Sequence, residues 1–261
     1  EKKIRAYRKG DLPEEKFRSL RLARGVYGQR QPGVQMVRIK LPFGKVTFQQ
    51  ILKIADISDE YASKNLHLTT RQDIQIHFVS LDKTPELWAK LAEDDMTLRE
   101  ACGNTVRNVT ASPTAGIDPE EPFDVSPYAH QTFKYFVRNP ICAEMGRKFK
   151  IAFSSSDKDT AFSYIHDFGF IPKVRIVDGK EQRGFKVMLG GGLGAQPILA
   201  HEVYDFLPED EILPYAEATI RVFDRYGERN NRNKARFKFL VQKIRHCGSQ
   251  AGNQRLRKKP G

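Results

Sequence analysis

The sequence predicts an α+β fold built from two successive sheet-and-helix regions. Three observations predict it. Between residues 34 and 112 the apolar pattern switches repeatedly between period two and helical spacing. After residue 145 a second alternation of strand and helix patterns begins. The chain has 261 residues, 39% hydrophobic and 10% aromatic, enough for two modest folded domains or one large one.

Residues 1–33 are basic and turn-rich and predict an arm with one short helix near Glu14–Leu22. "VQMVRIKL" (Val34–Leu41) alternates as a strand and ends at "PFG". "TFQQILKIADISDEYAS" carries Ile51, Leu52, Ile54, Ala55, Ile57 and Tyr61 at helical spacing. "LHLTTRQDIQIHF" (Leu66–Phe78) is one strand, or two joined by a kink near Arg71. "TPELWAKLAEDD" predicts a helix with a Thr cap and Pro in its first turn. Strand, helix, strand, helix in this order describes a small α+β sandwich of ferredoxin-like type, over 34–100.

The second region spans 101–245. "TVRNVTAS" (Thr105–Ser112) is the next strand, closing the first region or opening the second, and Ser126-Pro127 opens a helix through Phe136. "KFKIAFSSS" predicts a strand, "DTAFSYIHDFG" a helix, and "FIPKVRIVDGKEQRGFKVML" a hairpin turning at Asp178-Gly179. "GGGLG" (Gly190–Gly194) ends the hairpin, and "AQPILAHEV" reads as a modest helix start. "EDEILPYAEATIRVFDRYG" is an amphipathic helix with acid at its start, and "NNRNKARFKFLVQKI" a last, basic helix. Residues 246–261 lack periodicity and read as a disordered tail.

The formal net charge is +12, which points to an anionic partner. No apolar run approaches the ~20 residues of a membrane span. Three scattered cysteines, Cys102, Cys142 and Cys247, lack a C-x-x-C pair and fit a reducing, cytoplasmic compartment. Cys102 and Cys142 read as buried apolar thiols. The basic final helix is explained as an amphipathic surface helix, so neither a membrane nor nucleic acid is expected as partner.

Thr69, Arg71, Gln75 and His77 are all odd-numbered and share one face of an unbroken strand, poor material for a core. Arg38, Arg71, Arg107, Arg147, Lys148 and Lys150 lie in or beside β patterns, and Lys148 and Lys150 project from the same face. Two readings stand: solvent-facing positions of half-exposed sheets, or cations from several strands converging on an anion, with arginine giving bidentate contacts. The glycines Gly190, Gly191 and Gly192 mark either a flexible hairpin end or backbone brought close to a ligand; they form neither a Walker loop nor a dinucleotide fingerprint.

"VRIKLP", "HLTTRQDIQIH", "NTVRNVTASPTAGIDP", "GRKFKIAFS" and "GFKVMLGGGLG", in register from Val34 to Ile244, together resemble the sirohaem-dependent nitrite and sulfite reductases. The resemblance covers the N-terminal half of that family's usual chain. It implies a ferredoxin-like half-domain followed by a mixed α/β sirohaem-binding domain. It also implies sirohaem beside a [4Fe–4S] cluster, and six-electron reduction of sulfite or nitrite fed by ferredoxin or a flavoprotein. Carried over by motif, Arg38, Arg107, Lys148 and Lys150 are the substrate-side cations. Thr69, Arg71, Gln75, His77, Asn108, Arg147, Gly190, Gly191 and Gly192 line the sirohaem. Lys at both positions of "KFK" tilts the substrate towards sulfite. The family's C-x₅-C and C-x₃-C cluster motifs do not occur in this sequence. The expectation is therefore a fragmentary reductase chain, complemented by a separate chain carrying the C-terminal half; the alternative is a non-catalytic tetrapyrrole- or anion-binding module.

Overall fold

The computed structural model describes residues 1–246, which form two compact units: Glu1–Pro113 with Ser126–Glu144, and Thr114–Val125 with the residues from Met145. Most of the expected tail, 246–261, and Cys247 within it, lie outside the described residues.

The first unit holds α1 (Lys2–Arg8), α2 (Glu14–Leu22), β1 (Val26–Gly28), β2 (Val34–Ile39), α3 (Phe48–Tyr61), β3 (Leu66–Leu68), β4 (Ile74–Ser80), α4 (Thr84–Ala92), β5 (Val106–Ala111) and α5 (Ser126–Phe136). The first four strands make an antiparallel sheet in the order β1-β2-β4-β3. Val37 and Ile39 of β2 and Ile74 and Ile76 of β4 point to one face and pack with Ile54 and Ile57 of α3 and Leu87 and Leu91 of α4. Each such side chain contributes about 1.5–3 kcal/mol on burial.

Helix α3 starts where its sequence says it should. Gln50 N donates to Thr47 Oγ1, and Thr47 N donates to Gln50 Oε1, a reciprocal capping box. Thr84 is not the expected cap of α4. It lies inside the helix, its hydroxyl donates to Leu81 O, and Lys83 stands at the cap position. The arm is also more structured than expected: Val26 pairs with Val37 and makes β1 an edge strand, too short to show a period.

The Leu66–Phe78 stretch is two strands. The break is a turn in which Thr69 N donates to Asp73 O, Thr69 Oγ1 accepts from Arg71 N and Asp73 N, and Gln72 takes φ 57°. The side-chain alternation survives the break, so Arg38 pairs with Gln75 and His67 with Gln75 on the face opposite the core.

In the second unit β6 (Phe149–Phe153) runs parallel to β7 (Phe168–Val177). Strand β7 turns into β8 (Lys180–Leu189), and β8 pairs with β9 (His201–Pro208). The predicted hairpin turn holds, with Asp178 at φ 51° and Gly179 at φ 75°, both positive as a two-residue turn of this hand requires. Helix α6 (Ile212–Tyr226) and a last helix over 237–246 complete the unit. Its core is aromatic: Phe149 meets Phe168, Phe223 and Phe237 at centroid distances of 6.4, 5.8 and 5.2 Å.

Two expectations fail here. The helix read in "DTAFSYIHDFG" is only a 3₁₀ turn, Ser163–Ile165. Asp159 Oδ1 accepts from Ser154 Oγ and Ser163 N, and Phe162 adopts φ 54°, so the chain is held in a loop that helical geometry cannot share. The helix start read in "AQPILAHEV" is instead the approach to β9, an edge strand held by its ladder to β8. Among the described residues no helix is long and apolar enough to cross a membrane.

Candidate functional site

In the first unit Arg38, Gln75 and His77 lie on the sheet face opposite the core, Thr69 and Arg71 in the turn before β4, and Arg107 and Asn108 on β5. Arg38 Nη1 and Arg107 Nη1 donate to the same acceptor, Ala101 O, at 3.3 and 2.9 Å, and Arg107 Nε donates to Gly103 O at 3.0 Å. Two guanidiniums from β2 and β5 are thereby held within a few ångströms of each other.

Arg38 also fixes a polar row along the sheet. A guanidinium can only donate, which orients the Gln75 amide with its oxygen towards Arg38, accepting from Nη2 at 2.6 Å and Nε at 3.2 Å. The Gln75 nitrogen then donates to His77 Nε2 at 3.2 Å. His77 stacks on His67, ring centroids 5.9 Å apart. Burial, with the charges of His67 and Arg38, holds His77 below its ordinary pKa, so the ring is the neutral acceptor this row needs.

Arg71, in the turn before β4, and Asn108, on β5, bind each other. Arg71 Nη1 donates to Thr110 Oγ1 at 2.9 Å and Nη2 to Asn108 O. Asn108 Nδ2 donates to Leu41 O at 2.6 Å and to Arg71 O at 3.1 Å. Thr69 shapes the turn beneath them.

Sequence reasoning missed two charged members of this face. Lys40, 3% exposed, donates from Nζ to Val106 O at 3.1 Å and lies 5.4 Å from the centroid of the Phe133 ring. Burial lowers its pKa to about 8 although Glu100 and Asp73 oppose the shift. Asp73, also 3% exposed, is raised to about 6 by burial, against the pull of Arg38, Arg71, Lys40 and Arg107. The signal was present in the spacing: Lys40 stands two residues after Arg38, and Asp73 lies midway between Arg71 and Gln75 in the odd-numbered series.

In the second unit, Arg147, Lys148 and Lys150 are half-buried. Arg147 Nε is buried without a hydrogen-bond partner among the described residues, and its pKa is lowered by burial and by the charges of Arg232 and Arg236. Lys150 is fixed through its backbone, N donating to Asp167 Oδ2 at 2.9 Å. The glycines meet the chain itself. A Cβ on Gly191 would lie 2.2 Å from Tyr164 O, one on Gly190 2.9 Å from Val241 Cβ, and one on Gly192 3.3 Å from Arg236 and Lys238. Lys238, buried to 2% exposure, donates to the carbonyls of Gly192, Leu193 and Gln196 and pins this loop.

Neither Cys102 nor Cys142 is in a disulfide and both are buried, as expected of apolar thiols, and burial pushes the Cys102 pKa up. Among the described residues no three His, Cys, Asp or Glu side chains gather as a metal site. A cavity of about 310 Å³ lies in the first unit between Phe17, Leu20, Val26 and Trp88, and one of about 380 Å³ in the second between Tyr226, Arg229, Phe239 and Lys243; neither includes an expected site residue.

The profile of the nitrite and sulphite reductase 4Fe-4S domain matches residues 102–246, and that of the nitrite/sulfite reductase ferredoxin-like half domain matches residues 27–94. The chain belongs to the nitrite and sulphite reductase family. It is 31% identical over 207 residues to the sulfite reductase [ferredoxin] 1 of Mycolicibacterium paratuberculosis, covering 79% of this chain and 36% of that protein. It is 31% identical over 231 residues to the assimilatory ferredoxin-dependent nitrite reductase of Haloferax mediterranei, covering 83% of this chain and 39% of that protein. The structure of Mycobacterium tuberculosis NirA superposes with a TM-score of 0.81 at 28% identity, over 90% of this chain and 45% of that one. The α+β fold class, with its ferredoxin-like half-domain, stands. The chain spans less than two fifths of these curated relatives.

Proposed function

We propose that this chain provides a sirohaem- and oxyanion-binding part of a six-electron sulfite or nitrite reductase. The observation that carries the reading is the meeting of Arg38 and Arg107 on one carbonyl, in a unit that also buries the cation Lys40 and fixes Arg71. Such a density of guanidinium and ammonium groups on one sheet face suits a ligand rich in carboxylates.

The residues present fit a polyanionic macrocycle. In the first unit Thr69, Arg71, Gln75, His77 and Asn108 would hold it. In the second unit, Arg147, whose buried Nε lacks an acceptor among the described residues, and the pinned loop of Gly190, Gly191 and Gly192 suit an anionic ligand. Sirohaem, when bound, supplies an iron at which the oxygens of the anion are removed by reduction. Arg38 and Arg107 hold fixed positive charge for the anion. Lys148 and Lys150 add charge and, being ammonium groups, can give up protons as oxygens leave. Lys150 in "KFK" favours sulfite, with nitrite of similar shape as the other substrate.

The thiolate set of a [4Fe–4S] cluster does not fit the residues here. Cys102 and Cys142 are buried and far apart in sequence, and no close cysteine pair occurs among the three in the sequence. A second reading, which the cation face alone supports, is a non-catalytic tetrapyrrole- or anion-binding module. The family relation supports ferredoxin as electron donor, a flavoprotein being the other candidate, and the net charge of +12 favours an acidic one.

Titration with sirohaem tests the reading. The Soret band should saturate near one equivalent, and Arg71→Ala should weaken binding by about tenfold or more, since one charge-assisted pair is worth about 1.5–3 kcal/mol. No binding by the intact chain would overturn it. Methyl-viologen-dependent reduction of sulfite or nitrite by this chain alone should be weak on either reading, and robust turnover would contradict the cysteine argument.

A further inference from the structure

The anion face of the first unit carries a carboxylate at its centre. Asp73 immediately precedes Ile74, whose partner across the ladder is Ile39, and Thr69 N bonds to Asp73 O to continue the pairing. Alternation therefore sends the Asp73 side chain to the face of Gln75, where Arg38 and Lys40 also point. The groups that act on it come from every neighbouring segment: Arg38 and Lys40 from β2, Arg71 from its own turn, and Arg107 from β5, while Cys102 feels its charge in return. Glu100 acts on Lys40 from the loop before β5, and His67 and His77 lie further along the same face.

Asp73 is surrounded by cations yet poorly bonded to them. Its Oδ1 is buried and has no hydrogen-bond partner among the described residues. The cations place hydrogen bonds elsewhere: Arg38 and Arg107 on Ala101 O, Lys40 on Val106 O, Arg71 on Asn108 O and Thr110 Oγ1. A buried carboxylate held by charge alone is a counter-ion, not a structural clamp. Four cations against the two carboxylates of Asp73 and Glu100 leave net positive charge for a ligand.

We propose that Asp73 is the resident counter-ion of this cation cluster, and that an anion entering the cluster displaces its charge by driving one proton from solvent onto the Asp73 carboxylate. The inference rests on the function proposed above and adds a positioning residue to it. The proton balance is simple: ionised Asp73, a proton and the free anion become neutral Asp73 and the bound anion. The ionisation of Asp73 near neutral pH makes the exchange accessible there, because burial has already brought the carboxyl to about 6 and an adjacent anion raises it further. The ligand chemistry is that of a small oxyanion or of a macrocycle carboxylate, and both would exchange charge with Asp73 in the same way.

The test uses the full chain in unbuffered solution at constant chloride, with sodium nitrite as one arm and sodium acetate as the other. Both stay ionised between pH 6 and 8, so any proton taken up belongs to the protein. In a pH-stat the wild type should consume up to one proton per nitrite bound at pH 7.5, and the nitrite affinity should weaken by about tenfold from pH 6 to 8. Asp73→Asn should bind nitrite with the tight, low-pH affinity across the range and consume no proton. His67→Asn should leave the uptake in place. Uptake with acetate but not nitrite assigns the exchange to carboxylates, and the reverse to oxyanions. A protonated-carboxyl band should appear in the infrared difference spectrum of the wild type when the anion is added, a readout independent of how the variant folds. Binding without uptake, or uptake that survives Asp73→Asn, overturns the inference and leaves the site reading intact. Failure of both anions to bind the wild type overturns both.

Discussion

Each unit of this chain buries one aspartate deeply, and the two are treated in opposite ways. Asp167, in the second unit, is 0% exposed and satisfied: Arg236 Nη2 donates to both oxygens at 3.1 and 2.8 Å, and Lys150 N donates to Oδ2. Its backbone oxygen accepts from Gly190 N. It therefore ties together β6, the glycine loop and the segment before the last helix. Asp73, in the first unit, sits among more cations but leaves Oδ1 unbonded. Burial raises the pKa of both carboxyls, so neither is stabilised merely by having positive neighbours. A directed ion pair makes structure, whereas an undirected cluster of charge makes a site that can exchange one anion for another.

The contrast can be broken most forcefully at Asp167. Asp167→Ala leaves Arg236, only 13% exposed, without its partner and should cost about 3–5 kcal/mol in urea denaturation. A cost below 1 kcal/mol would mean that the pair is not the clamp described.

Asp73→Asn should act in the other direction. A carboxyl whose pKa is raised on folding contributes stability that is complete below its unfolded pKa and lost as pH rises through its folded value. The wild type should therefore lose stability between about pH 4 and 6, by at most about 3 kcal/mol for a shift from the ordinary 3.8 to about 6. The variant should be the more stable protein at pH 8 and equal to wild type below pH 4, as read from denaturation midpoints across that range. A variant less stable at pH 8 would show that the Asp73 charge is a net support.

The smallest effect is expected at the turn that presents Asp73. Thr69→Val removes the acceptor for Arg71 N and Asp73 N and should cost about 1–2 kcal/mol. Amide exchange at Asp73 should quicken while that at Lys150 stays unchanged.

How much of this was legible depends on the kind of interaction involved. Helix α3 was readable because its apolar spacing and its Thr47–Gln50 cap are local, and the hairpin at Asp178-Gly179 because only particular residues tolerate two positive φ angles. The helix expected in "DTAFSYIHDFG" was wrong because Asp159 captures Ser154 and Ser163. Strand β9 was missed because an edge strand depends on its neighbour's ladder and not on its own period. In the candidate site, Arg38, Arg71, Gln75 and His77 were visible as polar side chains out of place in a strand pattern. Asp73 belonged to the same odd-numbered series, but an aspartate in a turn is what turns ordinarily contain.

By itself the sequence determined the alternation that separates core from polar face in each strand, the local caps and turns, and an excess of cations in β segments. Those properties depend on residues near in the chain, where side-chain period and backbone preference decide the outcome. Only the tertiary structure decided that Arg38 and Arg107 share the Ala101 carbonyl, that Lys40 and Asp73 are buried, and that Asp167 is clamped while Asp73 is not. Burial and hydrogen-bond direction are set by segments far apart in sequence, and they determine whether a buried charge becomes a strut or a replaceable counter-ion.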